Sequence, residues 1–348
     1  SVLKRTIGKD GISTEISHII MKRYSKITPQ GSRDYLFEEC DDRRRVEHEL
    51  SVLFKENNYR KVITPAIEYF DVFKSDNVGI ESEMMFKMSD SKGRTTVLRP
   101  DNTMPIARMV ATRLHDEELP VRLYYSQPVF VRAKDLAGRP SEIAQSGVEL
   151  IGDGSFDADI EIVKMAVESL KKSNLNSFKL ELGNAAFFNV VLGKMNISPN
   201  DRADVVNYIE SKNYAALGDL LDKIGDTAET RVIRRLPRLF GDASVIDEAK
   251  KLYSDSSFQQ ALLYLQTVYN RLCDEGLKDY IILDLGLVNR SNYYTGIIFH
   301  GYAEGSGISV LSGRRYDNLL GEFGRPAPAI GFAVEVTALC EAMHEVIN

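Results

Sequence analysis

The chain has 348 residues, 43% of them apolar and 27% charged, a balance that fits one large or two ordinary soluble globular domains. A formal net charge of −6 argues against a nonspecific nucleic-acid binder, which needs positive charge to neutralise phosphate. No apolar run approaches the roughly 20 residues of a membrane helix, no secretory signal is visible, and the scattered Cys40, Cys273 and Cys340 build neither a disulfide framework nor a zinc site, so a reducing cytoplasm is expected.

Residues 1–20 are polar and irregular and are expected to be an appended or disordered extension. From 41 to 57 the spacing predicts a helix, with Val46, Leu50, Leu53 and Phe54 on one stripe and Asp41 and Asp42 near its start. Short strands follow at 60–64, ended by Pro65, and at 83–88 and 95–98. A helix over 102–114 has Asn102 or Thr103 as its cap and Pro105 in its first turn. Strands are expected at 121–125, 129–133 and 142–151, where Gln145, Gly147 and Glu149 share one face because strand side chains alternate. An amphipathic helix spans 157–172. A strand at 178–182 precedes a stretch, 185–273, that is read as an all-α insertion of roughly 80 residues. Its helices are placed at 201–211, 215–223, 230–236, 245–253 and 259–273. Strands resume at 280–285, 293–302, 308–311 and 329–332, and a helix over 334–346 closes the chain. The core is thus 21–184 with 274–348. Runs of strands with segregated helices predict an α+β protein whose antiparallel sheet is flanked by helices.

Six segments in order carry a resemblance to a known family: RKVITPAIEYFDVF, VLRPDNT, GRPSEIAQSGVELIG, NYYTGIIF, GRRYDNLLGEFG and PAIGFAV. Several spaced matches are far more specific than one short motif. The chain resembles the class II aminoacyl-tRNA synthetase core, its histidyl branch, and more closely the paralogous regulatory subunits of ATP phosphoribosyltransferase.

The resemblance implies a seat for histidine. Asp101 and Thr103 stand in the LRPDNT stretch, Gln145 and Glu149 where the family grips the ammonium and imidazole, and Tyr293 and Tyr294 where a tyrosine pair closes the pocket. Carboxylates suit an ammonium, and tyrosines give a flat wall with a polar tip. Asp101 and Thr103 serve equally as a helix start. Pro65 matches the family's dimer-interface proline. The positions at which an ATP-using relative places arginine hold Val131, Asn289 and Ala338 instead, Ala133 replaces a glutamate, and Arg314 matches a glycine. Arg132 lies beside Val131 but faces the other way on a strand. Each lost donor is worth about 10²–10³ in rate, which leaves no adenylation chemistry and no catalytic residues.

His18, His48, His115, His300 and His344 form no metal-binding pair, so neither metal nor cofactor is expected. Arg231, Arg234, Arg235 and Arg238 read as a solvated helix face, and Gly305 and Gly307 as a turn. Too few residues follow the last motif for an anticodon-binding domain, so tRNA is not an expected partner. The resemblance implies a noncatalytic regulatory subunit, required for activity of the short-form ATP phosphoribosyltransferase catalytic subunit and for feedback by L-histidine in the first step of histidine biosynthesis. It also implies a self-dimer within a hetero-oligomer, a hetero-octamer, free of membrane and tRNA. Its rivals are a degenerate ligase that activates an amino acid with ATP, and an RNA-binding module.

Overall fold

The computed structural model describes residues 25–74, 81–132, 140–175, 177–288, 295–304 and 309–345. The extension at 1–20 lies outside these residues, as do Ala133, Asn289, Tyr293, Tyr294, Gly305 and Gly307.

The first described helix, α1 (Glu38–Glu56), places Glu38, Glu39 and Asp41 in its first turn, against unpaired backbone N–H groups, and buries Val46, Leu50, Leu53 and Phe54. After β1 (Arg60–Lys61), a small sheet forms from β2 (Ile67–Tyr69), β3 (Lys87–Ser89) and β4 (Thr95–Leu98) in the order β2-β4-β3. β2 escapes the sequence pattern because it is short and only its central residue is buried. Then come α2 (Thr103–Thr112), β5 (Val121–Phe130), β6 (Glu142–Ile151) and α3 (Phe156–Lys172).

The two strands expected at 121–125 and 129–133 are one continuous strand, β5. Pro128 is tolerated inside it because β1 pairs only with Leu123 and Tyr124, so no neighbour needs the missing N–H. β7 (Phe178–Asn184) leads into α4 (Ala185–Lys194), which the sequence reading missed. AAFFNVVLGK is apolar almost all round and shows no amphipathic period; it buries Phe187, Phe188, Val191 and Leu192. The helices α5 (Pro199–Glu210), α6 (Tyr214–Ile224), α7 (Ala228–Arg235), α8 (Ser244–Leu252) and α9 (Ser256–Asp274) follow, with a two-residue strand, β8 (Phe240–Gly241), among them. β9 (Ile281–Asp284), β10 (Ile297–Ala303), β11 (Ser309–Arg315), β12 (Ala329–Glu335) and α10 (Val336–Glu345) complete the order.

Nine strands form the main sheet, in the order β1-β5-β6-β12-β11-β10-β7-β9-β8. The ladders are antiparallel as expected, except that β1–β5 and β7–β9 are parallel. One sheet face and its covering helices share a contiguous apolar cluster that includes Phe54, Val148, Leu170, Val232, Leu265 and Phe332. The opposite face packs a smaller cluster, with Val97, Met104, Ile106, Leu123 and Leu319, against α2 and the small sheet.

A buried ion pair ties α3 to β11. Arg315, 7% exposed, donates from Nε to Asp159 Oδ1 at 2.7 Å, and its Nη2 lies 2.6 Å from the same oxygen. Tyr264 OH on α9 donates to Asp159 Oδ2 at 2.5 Å, and Arg315 Nη1 reaches Asp317 at 3.1 Å. Burial raises the Asp159 carboxyl above its ordinary range, and the Arg315 charge beside it favours the ionised form.

Candidate functional site

The site grows out of strand alternation on β6. Ala144, Val148 and Leu150 enter the larger apolar cluster, so Gln145, Gly147 and Glu149 face the other way. The ladders carry that polar row across the sheet: Glu149 is opposite Gly331 on β12, Gly331 is opposite Arg314 on β11, and Ser312 is opposite His300 on β10. A cavity on this face is lined by Asp101, Thr103, Tyr125, Gln145, Glu149, Ser312, Arg314 and Tyr316, with Gly331 and Ala333 as its floor.

Four of the six expected seat residues therefore meet. Glu149 accepts from Thr103 Oγ1 at 2.8 Å and from Tyr316 OH. Gln145 Oε1 accepts from Asn102 Nδ2 at 3.1 Å. Asp101 Oδ1 accepts from the Met104 N–H at 2.8 Å, so Asp101 starts α2 and also lines the cavity. Asn102 occupies the cap position without a side-chain cap bond. Its amide turns to Gln127 and Gln145 instead: Gln127 Nε2 donates to Asn102 Oδ1 at 2.8 Å. The remaining two seat residues, Tyr293 and Tyr294, lie outside the described residues.

Burial dominates the electrostatics. Glu149 is 2% exposed, and loss of water pushes its carboxyl up to about 8, against the hydrogen bonds from Tyr316 and Thr103 that favour the charged form. Burial raises Asp101 as well, opposed by the Met104 N–H and by the Arg314 charge. The Asp101 charge raises Glu149 further, as a lesser effect than burial. A cation entering here would favour the ionised forms of both carboxyls, against the burial that raises them.

The floor must be glycine at 331. A Cβ there falls 1.9 Å from Glu149 Oε2 and 2.4 Å from the Val148 carbonyl oxygen. Gly331→Ala is expected to displace the carboxyl and lower stability by about 1–3 kcal/mol, the usual effect of overpacking, measured by thermal melting.

The sequence reading missed Tyr125, Ser312 and Tyr316, and it noted Arg314 only as a replaced glycine. Period-two spacing of Ser312 and Arg314 on β11, continued by Tyr316 just past its end, was the available signal. Val131 and Ala338 supply no charge; the Val131 N–H donates to Ser141 O at 2.8 Å, and Ala338 packs against the larger cluster. Arg132 is not among the cavity's lining residues and donates from Nη1 to the Glu83 carbonyl at 3.3 Å. In the basic stripe, Arg231 pairs with Asp226 at 2.6 Å, Arg234 with Asp222 at 2.6 Å, and Arg235 with Glu248. Among the described residues no cluster of His, Cys, Asp and Glu is suited to a metal ion, and no helix is long and apolar enough to cross a membrane.

The chain as a whole is similar to known proteins. Residues 31–339 match the profile of the family described as histidyl-tRNA synthetase. The chain is 41% identical over 333 residues to an ATP phosphoribosyltransferase regulatory subunit of Clostridium novyi (strain NT), covering 94% of this chain and 79% of that one. A solved structure described as an ATP phosphoribosyltransferase regulatory subunit/histidyl-tRNA synthetase from Bacillus halodurans C superposes with a TM-score of 0.83 at 33% identity, covering 91% of this chain and 83% of that chain. A histidyl-tRNA synthetase from Nostoc sp. PCC 7120, at 21% identity and a TM-score of 0.76, covers 92% of this chain and 76% of that chain and shares the fold. With a class II synthetase fold and relatives of this kind along most of its length, the chain belongs to the noncatalytic ATP phosphoribosyltransferase regulatory subunit family.

Proposed function

We propose that this chain binds L-histidine in the cavity lined by Asp101 and Glu149 and relays it as feedback to a short-form ATP phosphoribosyltransferase catalytic subunit, in the cytoplasm. The observation that carries this reading is the convergence of Asp101, Thr103, Gln145 and Glu149 on one cavity whose described lining holds a single cation. Two carboxyls, a hydroxyl and an amide are the partners that an ammonium and an imidazole need. Tyr293 and Tyr294 complete the seat in this proposal. An effector shifts a complex only by binding its two states unequally, so histidine must prefer the inhibited arrangement of the two subunits.

A self-dimer within a hetero-oligomer, a hetero-octamer, is part of the same proposal. Pro65 is exposed between Ile63 and Ile67, which are 75% and 53% exposed, and such an apolar strip beside edge strand β1 suits a partner copy.

The test is a histidine titration of phosphoribosyl transfer by the complex reconstituted with a short-form catalytic subunit. Saturable inhibition is expected, together with histidine binding to this chain by calorimetry and no exchange of pyrophosphate with ATP. Pyrophosphate exchange, or inhibition that persists without this chain, overturns the proposal.

A further inference from the structure

The amino-acid seat has an anionic end and a cationic end, and the cationic end is one side chain. Arg314 and Arg315 are neighbours on β11, and strand alternation sends them to opposite faces. Arg315 enters the core to meet Asp159, while Arg314 lines the cavity. Every other residue of the described lining is neutral or acidic.

The register sets the separation. Glu149, Gly331 and Arg314 lie side by side on three adjacent strands, β6, β12 and β11. Two interstrand steps of about 4.8 Å put the Glu149 and Arg314 backbones roughly 9.6 Å apart, with a glycine between them. An α-amino acid carries its ammonium and carboxylate on one carbon. The Glu149 carboxyl leans over Gly331, so an ammonium held by it leaves the carboxylate on the same carbon on the β11 side, toward Arg314. Among the described residues, groups facing Arg314 from the surrounding elements include Asp101 before α2, Glu149 on β6, Tyr125 on β5 and His300 on β10. The guanidinium favours the ionised forms of Asp101 and Glu149. It also disfavours a charge on His300, whose imidazole burial and this neighbour push down to about 4.

We propose that Arg314 clamps the carboxylate of the bound amino acid, so that the site selects ligands whose carboxylate is free. The clamp rests on the seat proposed above, which Asp101 and Glu149 furnish at the ammonium end. Arg314 thus acts as a specificity residue: it accepts histidine and refuses histidinol, histamine and histidinamide, which keep the ammonium and imidazole but lack the anion.

Calorimetry on the full chain tests this with those four ligands and with Arg314→Gln and Arg314→Lys. Wild type is expected to prefer histidine to histidinol by about 10–150-fold, the range for one charge-assisted hydrogen bond. Arg314→Gln should erase that preference by weakening histidine alone, and Arg314→Lys should restore part of it as a point charge without the fork. If Arg314→Gln retains the wild-type preference, or if wild type binds histidine and histidinol alike, the clamp is wrong while the seat stands. The second outcome holds even when the variants fail to fold. If wild type binds none of the four, the seat itself is wrong and the clamp falls with it.

Discussion

Glu149→Gln is expected to weaken histidine binding about 10–150-fold, with the complex still active and poorly inhibited, while the chain keeps a single cooperative melt. Removing one charged partner from a hydrogen bond to an ammonium or imidazolium costs about 1.5–3 kcal/mol. The fold is spared because the empty site already holds Glu149 toward its neutral form: its carboxyl titrates near 8, against 4.5 for an ordinary glutamate. The sign of the pH dependence follows. A folded-state value above the unfolded one makes the native protein hold a proton that the unfolded chain has released. The contribution to stability is therefore complete below about pH 4.5 and is lost as pH rises through 8. Gln cannot titrate, so the variant's stability relative to wild type should grow between pH 5 and pH 9. Denaturant melts across that range check it, and a variant that melts without cooperativity at every pH would make Glu149 a structural residue.

Arg315→Met is expected to be the most damaging change to stability, at about 3–5 kcal/mol, because it strands Asp159 in the core without its counter-charge. Asp159 has no exposed surface to recover water, and Tyr264 is its only other described side-chain partner. The loss should shrink as pH falls, because the carboxyl that burial already raises can take up a proton instead. Arg315→Met combined with Asp159→Asn should recover much of the stability, since the buried charge is gone. A double-mutant cycle by chemical denaturation measures the coupling, and additive losses would show that the two side chains act independently.

Much of this architecture was legible from the residues alone, and particular elements show why. β6 was read over its observed range because polar and apolar residues alternate along it; α1 was read through four apolar residues on one stripe. α4 was invisible because it is buried all round, and the parallel β7–β9 pair was invisible because no local pattern encodes which distant strands meet. At the site, Asp101, Thr103, Gln145 and Glu149 came from spaced motifs, and the structure brings them to one cavity. Tyr125 and Tyr316 did not, since a buried tyrosine reads as core until the register shows which face it occupies. Nor does a sequence reveal that Asn102 abandons its helix to hold Gln145. That choice depends on Gln127, brought beside it only by folding.

The parallel pairing of β7 with β9 also bears on the order of assembly. Leu180 meets Ile281 across about a hundred residues of chain, and closing a flexible loop of that length costs about 4 kcal/mol in entropy. The intervening chain is not a flexible loop. From α4 to α9 it is almost continuously helical, built from local contacts that form in microseconds. Once those helices have packed, the two ends are close neighbours, and the strand pairing closes a short gap instead of a long one. The far edge of the sheet is accordingly expected to form late, timed by helices rather than by strands.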